Sequence, residues 1–388
     1  MNTNTVKTKI LCILPLVGHP RHAKRVEMLQ QAGFEVTAIA FDRDYHKGKV
    51  PNCPVETLGK ISHGRYLARA LKIAKAMPKI RRAIKKSDFV YAFGVDLALT
   101  ILVARLGVSK PVAVEVGDIG GIQLRSDWVG WINRRLIKRI VNACEFIAVT
   151  APRFFDVYFK QWLDVSTPGM VIENKLESDF SEEFRPQLEK LKPLPGQPLV
   201  DRPLKIGYFG LLRDEWAWSV FEKLGQNYGA EVELLFRGIP FHTMSDLLER
   251  IQPYDNMTYD GEYKSPIDLP ELYGNVDIVW ACYDPIASGD WNKKWARPNR
   301  FYESCFFRRP LITRDGSQDS VDIKKHEIGF IVSEVDPAIA ADKIMSIQSH
   351  ELKRWRDNMQ QLSKHVYAYT NEWEELSRAI IESINKSS

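Results

Sequence analysis

Residues 295–310 read WARPNRFYESCFFRRP, and they follow the apolar run of residues 276–282. The apolar run has the length and composition of a buried strand, and the segment after it opens a helix loaded with cations. Lys293, Lys294, Arg297 and Arg300 surround that opening, with Pro298 in its first turn. A helix start presents unpaired N–H groups and a partial positive charge, so cations and a restrained proline there make a natural seat for a diphosphate. One carboxylate, Glu303, lies just inside the helix. The same residues also make an ordinary capped helix with solvated side chains, so the choice depends on the rest of the chain.

Working outward, the segment belongs to a repeating alternation of short apolar runs and helical stretches. Strands are expected over 204–209, 231–236, 257–259, 277–282, 310–313 and 329–332, with helices between them. The first half has the same rhythm, with strands over 9–16, 35–41, 89–93, 111–116 and 146–150 and helices over 22–32, 66–86, 96–106 and 128–142. Alternation of this kind specifies mostly parallel sheets covered by helices on both faces, with ligands beyond the carboxyl ends of the strands. Between the halves, SEEFRPQLEKLKPLPGQPLVDR (181–202) loses periodicity and gathers prolines, as an interdomain connection does.

At 388 residues the chain suits two domains, each with its own core. No apolar run approaches the roughly 20 residues that span a bilayer, and the amino terminus leads straight into strand-like sequence without a signal cleavage site. The five cysteines are scattered, with no Cys-x-x-Cys pair, which argues against a disulfide framework or a zinc site. Residues 1–180 carry 28 Lys and Arg against 16 Asp and Glu, while the remainder carries 26 against 33. The first half is therefore expected to face something anionic, and no nucleic-acid motif accompanies the charge.

Four stretches of the second half, KIGYFGLLRDE (205–215), VELLFRG (232–238), MTYDGEY (257–263) and RPNRFYESCFFRRPLIT (297–313), resemble in order and spacing the group 1, glycogen-synthase-like branch of the GT-B glycosyltransferases. The resemblance implies an α/β fold of two Rossmann-like doubly wound domains facing across a cleft. An acceptor domain is expected over 1–180, a linker over 181–202, a donor domain over 203–365 and a terminal segment, 366–388, packing back on the first domain. It implies a metal-independent transferase of hexosyl type using a UDP- or GDP-sugar, with no resident cofactor and no metal. The acceptor would be a saccharide or lipid-linked saccharide of surface polysaccharide biosynthesis. Two other readings share the architecture, a nucleotide-sugar 2-epimerase and a non-catalytic scaffold.

By resemblance, Glu303 holds the ribose hydroxyls, which suits a carboxylate because ribose offers two adjacent O–H donors. On the sequence alone it also pairs with Arg300, three residues earlier on a helix surface. Arg213, after the Gly210 turn, reaches the diphosphate by the planar fork of its guanidinium, or pairs with Asp214 or Glu215. Lys293, Lys294 and Arg297 supply further charge, Asn299 stands with them at the helix opening, and Gly210, Gly238, Gly261 and Tyr263 occupy loops that flank the base or diphosphate. The family often has a Glu where this chain has Trp295 and a Lys where it has Trp218.

Transfer to an alcohol by inversion needs a base, and Asp118 in PVAVEVGDIGG (111–121) is the expected one, with Gly117, Gly120 and Gly121 admitting a substrate to the backbone. Asp118 would otherwise cap the following turn. His22 in VGHPRHAKR (17–25) is the second catalytic candidate, and Gly18, His19 and Arg21 are candidate acceptor contacts. Glu115, inside its strand, is expected to be structural. The basic stretches 65–88 and 126–142 mix Lys and Arg with apolar residues, the second led by Trp128 and Trp131. This pattern fits a cytoplasmic protein peripheral on the inner face of the plasma membrane, and equally a solvated helix face above a buried stripe.

Overall fold

The structure, a computed structural model, describes residues 7–42, 50–60, 66–190, 202–284 and 291–387. Two compact units emerge, one of Met1–Asn174 with Asn371–Ser388 and one of Lys175–Thr370.

In unit 1, β1 (Lys9–Leu14), α1 (Pro20–Gln31), β2 (Glu35–Asp42), β3 (Val55–Lys60), α2 (Tyr66–Lys86), β4 (Phe89–Phe93), α3 (Val95–Ala104) and β5 (Val112–Val116) follow one another. After them come α4 (Gly121–Leu124), α5 (Trp128–Asn142), β6 (Phe146–Val149), a π-helical stretch (Phe154–Trp162) and β7 (Gly169–Val171). The strands form a parallel sheet in the order β3-β2-β1-β4-β5-β6-β7. β4 (FVYAF) and β5 (VAVEV) are buried along their whole length, as central strands of a parallel sheet covered on both faces must be. The chain winds outward from β1 to β3 and then returns to lay β4 on the other side of β1. That reversal opens a crevice at the carboxyl ends of β1 and β4, where doubly wound sheets bind ligands.

Unit 2 begins with α6 (Phe180–Glu183) and α7 (Arg185–Lys190). It continues with β8 (Leu204–Leu212), α8 (Glu215–Tyr228), β9 (Val232–Pro240), α9 (Leu247–Ile251), β10 (Met257–Tyr259), α10 (Leu269–Gly274) and β11 (Ile278–Trp280). The rest comprises α11 (Trp291–Trp295), α12 (Asn299–Phe307), β12 (Leu311–Arg314), α13 (Gln318–His326), β13 (Gly329–Val332), α14 (Pro337–Met345) and α15 (Ser349–Gln360). The parallel order β10-β9-β8-β11-β12-β13 places the reversal between β8 and β11. Along β8, Ile206 and Tyr208 join the core under α8 and α14, while Phe209 joins the one under α10 and α12, because successive strand side chains point to opposite faces. The last helix, α16 (Glu372–Ser387), belongs to unit 1 and packs on α1.

Three features differ from the sequence expectation. β3 and β7 were not expected; both lie at sheet edges, where a strand needs only one neighbour and the apolar signal is weak. Residues 181–190, expected as aperiodic linker, instead form short helices anchored by Phe180 and Phe184, whose rings stand 4.8 Å apart, with Phe306 5.1 Å from Phe180. The unit boundary consequently falls after Asn174, and Leu176 bridges to Ala368 within unit 2. Residues 191–201 of the expected linker lie outside the described residues.

Candidate functional site

At the carboxyl ends of β8, β9 and β10, the three glycines named from the sequence come together. Gly210 and Gly238 are cross-strand partners, and Gly238 N–H donates to the Gly261 carbonyl at 2.8 Å. Gly238 has φ +129°, and a Cβ there would lie 2.0 Å from the Gly210 oxygen, so no larger residue fits this approach. Arg213 leaves the end of β8 with its guanidinium over the Tyr283 ring, 5.6 Å from the centroid. Its Nε is buried and has no hydrogen-bond partner among the described residues. Neither acidic neighbour takes it up. Asp214 is buried, caps α8 by accepting from Ala217 N–H and lies 3.5 Å from Lys293 Nζ; Glu215 pairs with Arg250 at 2.8 Å.

The helix opening at 297–303 divides its cations differently from the expectation. Arg297 does not stand open toward a ligand. Its side chain is buried, its Nε donates to Asp319 at 2.9 Å, a second nitrogen bonds Asp322, and its guanidinium lies 4.0 Å from the Phe301 ring centroid. Helix periodicity could not show this, because the partners come from α13. Arg300 is also buried, donating to the Phe209 carbonyl at 2.6 Å and to Tyr283 Oη at 3.0 Å. Burial opposes its charge, but the hydroxyls of Tyr283, Tyr208, Tyr273 and Tyr263 around it leave its pKa raised. Glu303 is buried and accepts a 2.6 Å hydrogen bond from Tyr273 Oη. Burial, then the Glu303 charge, raises the pKa of both Tyr273 and Tyr263, which keeps them protonated donors. Lys294 lies half-buried in α11, and Asn299 is the exposed first residue of α12.

Unit 1 holds a cavity of about 510 Å³ at its own reversal point, lined by Arg21, His22, Gly94, Glu115, Asp118 and Gln123 among others. Beneath it, Glu115 accepts from Arg25 Nε at 2.7 Å and Tyr91 Oη at 2.8 Å, all three buried. An apolar strand therefore carries a carboxylate because a buried arginine and a phenol satisfy it. Arg21 lies 3.9 Å from Glu115 and 3.7 Å from the exposed Asp118 carboxylate. A Cβ on Gly117 would sit 1.7 Å from Arg21 Nη1. This glycine makes room for an arginine of its own chain, not for a substrate as expected.

His22 is buried, its Nδ1 3.2 Å from the Leu16 carbonyl, and its ring stacks on His19 at 4.5 Å. A carbonyl can only accept, so Nδ1 carries the proton of the neutral ring and Nε2 presents a lone pair. Burial, followed by His19 and Arg21, lowers its pKa to about 2. Its Nε2, with no partner among the described residues, is thus suited to accepting a hydroxyl hydrogen bond more than to keeping a proton. His19 caps α1, its Nδ1 3.3 Å from Arg21 N–H, and Gly18 is buried in the turn before it. Neither is among the residues that line the cavity.

No protein-family model matches the chain. A glycosyltransferase from Rickettsia africae superposes with a TM-score of 0.68 at 13% identity, over 98% of this chain and 99% of its own. Anabaena Alr3699/HepE in complex with UDP and glucose gives 0.66 at 14% identity, over 98% and 100%. The chain has the GT-B fold. In sequence, the succinoglycan biosynthesis protein ExoL of Rhizobium meliloti is 28% identical over 338 residues, 84% of this chain and 82% of its own.

Within this GT-B framework, unit 2 gathers Gly210, Gly238, Gly261, Arg213 and, one layer deeper, Glu303. Unit 1 gathers Arg21, His22 and Asp118. Two lining residues were missed in the sequence. Gln123 and Asn133 line the unit 1 cavity, and their side-chain oxygens are buried without partners among the described residues. Their only sequence signal was an uncharged amide on each of two adjacent helices, α4 and α5. Among the described residues, no helix is long and apolar enough to cross a membrane, and no cluster of three or more His, Cys, Asp or Glu could hold a metal ion.

Proposed function

We propose that this protein is a glycosyltransferase of polysaccharide biosynthesis. It moves a sugar from a nucleotide-sugar, a UDP- or GDP-sugar, to a hydroxyl of a saccharide or lipid-linked saccharide acceptor without a metal ion. One observation carries the reading: the buried, unpartnered Nε of Arg213 at the carboxyl end of β8, beside Gly210 and the tightly packed Gly238. A guanidinium in that position lacks only an anion, and a diphosphate supplies one with matching fork geometry. Glu303, held by Tyr273, offers a fixed carboxylate to two ribose hydroxyls. The names of similar proteins agree with this: HepE was captured with UDP and glucose, and ExoL is a succinoglycan biosynthesis protein.

In unit 1, the lone pair of His22 Nε2 and the amide oxygens of Gln123 and Asn133 accept hydrogen bonds from acceptor hydroxyls. Asp118, exposed and 3.7 Å from Arg21, is the base that takes the acceptor proton. A carboxylate serves in this place when the transition state has already made the hydroxyl acidic. Thermal unfolding with added UDP, GDP or ADP tests the donor half. A ligand present at a hundred times its Kd stabilises by about 2.7 kcal/mol, and the expected result is a shift with UDP or GDP that Arg213→Ala removes. No shift with any nucleotide would refute the reading.

A further inference from the structure

Helix α5 has a buried stripe of Gly130, Ile137, Ile140 and Val141, which accounts for its amphipathic sequence as a layer over the sheet. That stripe does not account for the opposite face. Trp128, Trp131, Ile132 and Leu136 point to solvent, the two tryptophans 72% and 51% exposed. At 100° per residue they interleave with Arg135 and Arg139, both also exposed. The helix carries four Lys and Arg and no acid. The nearest carboxylates are already engaged, Asp127 with Arg125 and Asp164 with Lys138 at 3.0 Å. The guanidinium of Arg135 lies 4.3 Å from the Trp131 ring centroid, and that of Arg134 lies 4.7 Å from the Trp162 ring centroid. These contacts place the two cations beside aromatic rings at the edge of the exposed face. Beside them is an open cavity of about 830 Å³ lined by Trp131, Arg135, Lys138, Arg139 and Trp162, with Asp164, the partner of Lys138, as its one acid.

We propose that the exposed face of α5 docks on an anionic lipid bilayer, its tryptophans entering the interface and its arginines meeting lipid phosphates. Charge complementarity selects this occupant, since an apolar row threaded with cations, on a helix that carries no acid and whose flanking acids are each paired with a cation, is suited to a headgroup layer. The face is also continuous with the candidate acceptor cavity, because Leu136, exposed on the docking row, is one of its lining residues. Docking would therefore bring the mouth of that cavity to the membrane, where a lipid-linked saccharide is held. The inference deepens the acceptor half of the proposed function and rests on it only for that last step.

The test is co-sedimentation of the full chain with vesicles of phosphatidylethanolamine and phosphatidylglycerol, against vesicles of phosphatidylcholine alone. Binding to the anionic vesicles only is expected, weakening at high salt, and Arg135→Gln with Arg139→Gln should weaken it about thirtyfold, at the worth of a cation near an anionic surface. Trp128→Phe with Trp131→Phe should bind anionic vesicles yet lose most of the quenching of tryptophan fluorescence by brominated lipid, which places this face at the bilayer. Equal binding to both vesicle types, no binding, or binding and quenching indifferent to these substitutions would overturn the proposal. Both variants should keep the nucleotide-induced thermal shift of the parent, so a failed sugar-transfer reading and a failed docking reading give different results.

Discussion

The two sheet reversals of this protein both gather arginines, and they use them differently. In unit 1, Arg25 is consumed by Glu115 below the cavity, and Arg21 stands between Glu115 and Asp118. In unit 2, Arg297 is consumed by Asp319 and Asp322 and Lys293 by Asp214, while Arg213 pairs with no carboxylate among the described residues; its buried Nε lacks a hydrogen-bond partner, as does that of Arg21, but Arg21 has two carboxylates within 4 Å. The cations look alike in the sequence. The difference lies in whether the fold brings a carboxylate within reach, and it separates residues that hold the protein together from one placed to meet an anion.

The sharpest way to break this comparison is to remove a consumed arginine. Arg25→Ala or Arg297→Ala leaves a buried carboxylate unpaired and should cost about 3–5 kcal/mol each, read from denaturant unfolding; the Arg25→Met, Glu115→Leu pair should recover most of the loss. Arg213→Ala should do the opposite. Stability should stay within about 0.5 kcal/mol, while nucleotide affinity in calorimetry falls by about 1.5–3 kcal/mol, the worth of hydrogen bonds to a charged group. If Arg297→Ala lost nucleotide without losing stability, the assignment of the two arginines would be reversed.

His22 gives a pH handle on unit 1. Its folded pKa of about 2 lies below the unfolded value of 6.5. The unfolded chain therefore binds a proton that the folded one refuses, and stability falls as pH drops from 6.5. Between pH 6.5 and 5 the loss should be about 2 kcal/mol, and His22→Asn should remove that part of the slope in denaturant unfolding at several pH values. The smallest effect expected is that of Tyr273→Phe, which removes the hydrogen bond to Glu303. Nucleotide binding should weaken by about 1 kcal/mol with little change in fold, and an unchanged affinity would detach Glu303 from the nucleotide.

Much of the candidate site was legible because its residues follow strand ends. Gly210, Arg213 and Asp118 come at or just after the end of an apolar run and His22 in the first turn of the helix that follows one, and a doubly wound sheet puts such positions at its ligand edge. Gln123 and Asn133 were not legible, since an amide on an amphipathic helix looks like any solvated side chain until its oxygen is seen buried. Gly117 was read as room for a ligand and proved to be room for Arg21, a contact across 96 positions that no local pattern encodes.

Taken alone, the sequence determined the two alternations of strand and helix, the cationic opening at 293–300 and the basic, tryptophan-led helix at 128–142. Periodicity and composition are local properties, fixed by the backbone geometry of each element. The tertiary structure decided which cations are neutralised and which are free to act, where α16 packs, and that α5 buries one stripe while keeping tryptophan and arginine in solvent. Those outcomes depend on side chains meeting from distant parts of the chain, and burial and charge pairing exist only after such meetings.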